Sequence, residues 1–153
     1  MENKMNIRFY NAKILKNGKM HDFEIVEGQL WVVGSKIVYI GDGVHTDMVM
    51  NGNPIIWERE IDVKGNLLMP GFKNAHTHTA MTFLRSYADD LPLQDWLHKQ
   101  IFPREAQLTG DDVYDLSILG YMEYLTSGIT ADFDMYLYPY DIARASKDFG
   151  MRT

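Results

Sequence analysis

Cysteine is absent from all 153 residues. That excludes a disulfide framework and a thiolate metal cluster, so any metal must be held by histidine, aspartate or glutamate. A basic excess is also missing: 15 lysines and arginines stand against 21 aspartates and glutamates, a formal charge of −6. Without a basic footprint no nucleic-acid partner is expected. No run approaches the roughly 18 apolar residues of a membrane span. The opening MENKMNIRFYNAKIL has no long apolar core of the signal-peptide kind. The expectation is a cytoplasmic protein with no membrane partner. Internal repeats and low-complexity segments are missing too. What remains is a chain the size of one ordinary domain with 46% hydrophobic residues, enough for a globular core.

Two textures follow one another along the chain. Residues 7–15, 23–33 and 36–40 are rich in β-branched and aromatic side chains, with Asn17-Gly18 and Gly34-Ser35 as turn punctuation. They predict a meander of short antiparallel strands. After a loop marked by Gly41, Gly43, Gly52 and Pro54, residues 58–63 return to strand character. From residue 67 strands and helices alternate, the pattern of parallel βα units. LQDWLHKQIF at 93–102 predicts a short helix stopped by Pro103. A longer helix is expected from a Thr109/Asp112 capping box to Gly128. Its predicted apolar face is Tyr114, Ile118, Tyr121, Met122 and Leu125. ITADFDMY at 129–136 reads as a strand and 141–149 as a helix ending at Gly150, with Met151, Arg152 and Thr153 entering another strand.

Chemistry concentrates where the textures meet, at MPGFKNAHTHTA, residues 69–80. Strand side chains alternate faces, so His76 and His78 point the same way and Thr77 the other. Two imidazoles aimed into one space are half of a metal site. With no thiolate available they suit zinc or ferrous iron, either of which lowers the pKa of bound water towards neutrality. A cupin also carries a His-x-His pair but needs a glutamate shortly after it, and Thr82 and Phe83 stand in that window.

Residues 66–80, NLLMPGFKNAHTHTA, resemble the P-G-x-x-N-x-H-x-H opening of the metal-dependent amidohydrolases. LRSYADDLPLQDWLHKQIFPRE at 84–105 and SGITADFDMY at 127–136 are similar to the branch that holds the S-adenosylhomocysteine and methylthioadenosine deaminases and the chlorohydrolases. Ser86 departs from that branch, which usually has glycine there for what reads as close backbone packing. The resemblance implies an α/β protein with a small β-sandwich-type domain, of which 1–65 is the N-terminal part, followed by a (β/α)8 barrel. Residues 66–153 would be the first two βα units, so that the barrel is truncated and this chain is an inactive N-terminal fragment of its parent.

For the parent, the resemblance implies hydrolytic deamination of an adenosine-type nucleoside by a metal-activated hydroxide. One Zn2+ or Fe2+ would be held by His76, His78 and ligands beyond this sequence, in a protein that could form homo-oligomers. Glu105, in Pro103-Arg104-Glu105, matches the branch's P-x-E motif and would accept the vicinal ribose hydroxyls. A carboxylate suits a cis-diol because each oxygen takes one O–H donor. Trp96 could offer the ligand a flat apolar wall, and Met81 could line the pocket. Asp132 and Asp134 are expected to make structural hydrogen bonds, and His21, His45 and His98 have no assigned role. A chlorohydrolase, guanine deaminase or imidazolone hydrolase would share His76 and His78 without needing Glu105. A non-catalytic fragment or weak metal-binding module is the alternative from another class.

Overall fold

The computed structural model describes residues 5–17, 22–43, 49–50 and 53–153. Gly18, His21, His45 and Gly52 lie outside the described residues. The chain divides into two compact units, Met1–Pro70 and Gly71–Thr153. No helix among the described residues is long and apolar enough to cross a membrane.

The first unit is built on β1 (Ile7–Asn17), β2 (Phe23–Val33) and β3 (Lys36–Gly41), antiparallel neighbours as the sequence suggests. Gly34, at φ 61°, makes the tight β2–β3 turn in the left-handed conformation that such hairpins demand. A short ladder pairs β4 (Val49–Met50) with β5 (Asn53–Pro54). The antiparallel meander ends there. Both β6 (Arg59–Asp62) and β7 (Leu67–Leu68) run parallel to β1 along its other edge. The long connection after β3 allows this crossover, which a two-residue hairpin could not make. The five-stranded sheet has the order β3-β2-β1-β6, with β7 also on β1. Ala12, Ile14 and Trp31 are its buried apolar residues. Gly28 is required where β2 passes β3, because a Cβ there would lie 2.1 Å from the Gly41 carbonyl oxygen.

In the second unit, β8 (Phe72–Thr77) pairs in parallel with β9 (Ile129–Asp134). Between them come a 3₁₀ helix (Thr79–Leu84), an interrupted helix and α3 (Gly110–Thr126), and α4 (Pro139–Phe149) follows β9. Pro103 does not stop the helix before α3. That helix runs through α1 (Leu93–Asp95), a π-helical stretch (Trp96–Ile101) and α2 (Phe102–Glu105). Proline has no N–H and crowds the carbonyl four residues back. The wider π turn relieves that crowding, with the Phe102 N–H donating to Leu97 O. The Gln100 carbonyl accepts from Arg104 Nη1 at 2.8 Å. Ser86 sits at φ 56° on an exposed loop. Glycine is favoured there by the left-handed backbone, not by close packing.

The capping box of α3 forms as expected: Thr109 Oγ1 accepts from the Asp112 N–H, and Asp112 accepts from the Thr109 N–H at 2.8 Å. The Thr109 hydroxyl, which donates to the same carboxylate at 2.6 Å, and then the Thr109 N–H hold the Asp112 carboxyl below its ordinary range. The buried face of α3 is Val113, Ser117, Gly120 and Tyr121, whereas Met122 and Leu125 are 51% and 47% exposed. Tyr121 is buried and Tyr114 and Ile118 pack against its cluster as expected, but counting apolar residues passed over Ser117 and Gly120, contact positions that are small rather than hydrophobic. One core cluster joins Ala80, Val113 and Ile142, and a second joins Tyr121, Ala145 and Met151. Gly150, at φ 80°, closes α4. Met151 to Thr153 form no strand, although Arg152 O accepts from the Asp132 N–H at 2.9 Å.

Gly120 fixes how closely α3 approaches the segment after His78. A Cβ on it would lie 2.5 Å from Thr79 Cγ2 and 3.0 Å from Thr79 O. In the full-length protein Gly120→Ala should therefore lower stability by about 1–3 kcal/mol, the usual range for overpacking, read as a lower thermal midpoint. An unchanged midpoint would mean that this contact relaxes freely.

Candidate active site

His76 lies within β8 and His78 just past its end. Their ring centroids are 5.4 Å apart with planes at 78°, which agrees with the period-two reading. His76 is exposed and His78 half-buried. Thr77, pointing the other way, makes a short hydrogen bond through its hydroxyl to the Tyr124 hydroxyl on α3. One strand end thus presents imidazoles on one face and anchors itself by the other.

The tip of β9 holds the histidine loop. His78 Nδ1 lies 2.6 Å from Met135 O, and since a carbonyl can only accept, Nδ1 carries the proton and donates. The Nε2 lone pair is left free, the tautomer that a metal-ligating histidine needs. Met135 N–H donates to Thr77 O at 3.2 Å, and Asp134 accepts from the Thr79 N–H at 3.3 Å. Asp134 is thereby engaged structurally, as expected. Asp132 is buried: Oδ1 accepts from the Thr153 hydroxyl at 2.9 Å, while Oδ2 has no partner among the described residues. Burial raises its carboxyl above the ordinary range.

The donor set fits a divalent metal of the zinc or ferrous kind and is incomplete. Two imidazoles lie side by side, one in a fixed tautomer, yet no group of three or more potential ligands occurs among the described residues. His76 and His78 could hold the ion, with the remaining ligands coming from elsewhere.

Beside His78 opens a pocket of about 440 Å³, lined also by Met81, Trp96, Phe102, Glu105 and Tyr136. The sequence-predicted His78, Met81, Trp96 and Glu105 are brought together here. The π-helical stretch delivers the Trp96 ring, whose Nε1–H donates to Tyr87 O at 3.3 Å. Its apolar body is left for the pocket. Glu105 ends α2 and is half-buried. His98 packs edge-on against Phe102 at 5.2 Å. Sequence reasoning missed Tyr136, which it assigned to a strand through residue 136, whereas β9 ends at Asp134. Its signal was position: the first residues past a parallel strand's C-terminal end line the mouth of such folds.

Residues 67–153 match the amidohydrolase family model, and the chain belongs to the amidohydrolase family. Its sequence is 39% identical over 153 residues to the 5-methylthioadenosine/S-adenosylhomocysteine deaminase of Carboxydothermus hydrogenoformans, covering 100% of this chain and 33% of that protein. It is 40% identical over 132 residues to the 5'-deoxyadenosine deaminase of Methanobrevibacter smithii, covering 86% of this chain and 28% of that one. The chain spans about a third of the length of these curated relatives. Among solved structures, a zinc-bound adenosine deaminase from Xanthomonas campestris superposes with a TM-score of 0.77 at 28% identity, covering 97% of this chain and 33% of that one. A mutant atrazine chlorohydrolase from Arthrobacter aurescens, complexed with zinc and atraton, reaches 0.74 at 20% identity, covering 95% and 34%. That second likeness speaks for the fold alone.

If His76 and His78 hold a metal, His76→Ala or His78→Ala in the full-length protein should weaken zinc binding by more than about ten-fold. Metal analysis after dialysis against a graded chelator measures this. Zinc retained at the wild-type level by the double substitution would exclude these histidines as ligands.

Proposed function

We propose that the protein carrying this chain is a metal-dependent aminohydrolase that removes the exocyclic amine of an adenosine-type nucleoside, such as S-adenosylhomocysteine or methylthioadenosine, releasing ammonia. We take it to work in the cytoplasm. The observation that carries the reading is the meeting of His78, Trp96 and Glu105 in one pocket. An imidazole with a free Nε2, an apolar wall and a carboxylate match the needs of a nucleoside held beside a metal. The names of the deaminases with about 40% identity support this substrate class over the chlorohydrolase, guanine deaminase and imidazolone hydrolase alternatives.

In this reading His76 and His78 hold a divalent ion, zinc being favoured by the zinc-bound adenosine deaminase neighbour. Such an ion, when bound, lowers the pKa of water and polarises the reacting centre. The protein's own residues do the rest. His78 stays in one tautomer because Met135 O takes its Nδ1 proton in a hydrogen bond. Glu105 accepts both ribose hydroxyls, and Trp96 covers a flat face of the ligand and excludes water from it. We read Gly71–Thr153 as the first two βα units of a (β/α)8 barrel, and Met1–Pro70 as part of a small β-sandwich-type domain. Two histidines without further ligands leave residues 1–153 alone inactive in this account.

Glu105→Ala in the full-length protein should cost about 2–4 kcal/mol in kcat/KM for methylthioadenosine, because hydroxyls closed into the site lose a charged acceptor. The 2′,3′-dideoxy analogue should show much of the same loss with the wild type. Equal kcat/KM for variant and wild type would move the assignment to a relative that does not grip ribose.

A further inference from the structure

Tyr136 stands between the core and the pocket. Its ring packs on the cluster of Ala80, Val113 and Ile142, while the residue also lines the pocket with His78, Trp96 and Glu105. The hydroxyl is buried and has no hydrogen-bond partner among the described residues. A buried phenol oxygen in that state is costly, and native proteins give it a partner. After burial itself, the group that acts most on this hydroxyl is the Glu105 carboxylate beside it. Glu105 is the only carboxylate among the pocket's lining residues.

We propose that Tyr136 is a positioning residue whose Oη–H donates to the Glu105 carboxylate and fixes which of its lone pairs face the substrate's vicinal diol. This rests on the reading of Glu105 given above. A glutamate at the end of a helix has three side-chain torsions to immobilise, and an unanchored one loses that freedom on binding. Tyr136 is held by the core at the tip of β9 and can supply the anchor in advance. An ionised carboxylate offers about four lone-pair sites, so one bond to Tyr136 leaves room for both ribose hydroxyls. Burial, then the Glu105 carboxylate beside it, hold the Tyr136 phenol far above its ordinary pKa, so it remains a donor.

Tyr136→Phe in the full-length protein keeps the ring and removes only the donor. The expected result is a rise of about ten-fold in KM for methylthioadenosine, larger than the change in kcat. The 2′,3′-dideoxy analogue should be insensitive, and Tyr136→Phe should have no further effect in a Glu105→Ala background. A wild-type KM in the Tyr136→Phe variant, or the same loss with and without Glu105, would overturn the proposal. A crystal structure of the wild type without substrate provides a readout independent of turnover. Oη should lie about 2.6–3.0 Å from a Glu105 oxygen, and a hydroxyl bonded elsewhere would reject the proposal even if the deaminase reading holds. If the wild type turns over no adenosine-type nucleoside, that reading falls, and the crystal structure decides the Tyr136–Glu105 contact by itself.

Discussion

The site depends on how the ends of two parallel strands are tied together. Met135, just past β9, donates its N–H to Thr77 O and accepts His78 Nδ1–H on its own carbonyl. One residue thus aligns the strand tips and sets the tautomer of a histidine. Asp134 adds a carboxylate on the Thr79 N–H, and Tyr124 holds Thr77 from the side of α3. A histidine loop left free would have to lose its conformational entropy on binding metal; here the backbone has already lost it.

The remaining elements serve that tie in turn. Close approach of α3 through Gly120 places Tyr124 within reach of Thr77. The capping box at Thr109 starts α3 at the right residue, and Ser117 and Gly120 give it a contact face thin enough to lie against Thr79. On the other side, the π-helical stretch carries the helix across Pro103, so that Trp96 and Glu105 border the same pocket. A strict α-helix through Pro103 would crowd the carbonyl four residues back, and the extra width is where the helix yields.

Much of this was legible in the sequence. The period-two placement of His76 and His78, the Thr109 capping box and the parallel βα order follow from local rules of side-chain direction and capping, which tertiary context did not override. Glu105 came from motif resemblance and Met81 from its place just past the histidine pair, since no local rule brings residues 27 apart together. What escaped was set by non-local packing. The parallel return of β6 and β7 to β1 depends on which sheet edge is free. The α3 face depends on small residues that hydrophobic counting passes over, and the passage through Pro103 on a π turn that no simple helix rule predicts. Tyr136 was missed because a strand boundary lay two residues earlier than the apolar pattern suggested.

Under the proposed function, the two histidines at the end of β8 and the carboxylate at the end of α2 act on one bound nucleoside. Anomalous diffraction at the zinc edge, from crystals of the full-length protein soaked with a non-hydrolysable methylthioadenosine analogue, tests it most directly. A single zinc peak is expected about 2.0–2.2 Å from nitrogens of His76 and His78, with both ribose hydroxyls of the same ligand on Glu105. A peak on other residues, or a ligand whose ribose points away from Glu105, would contradict it.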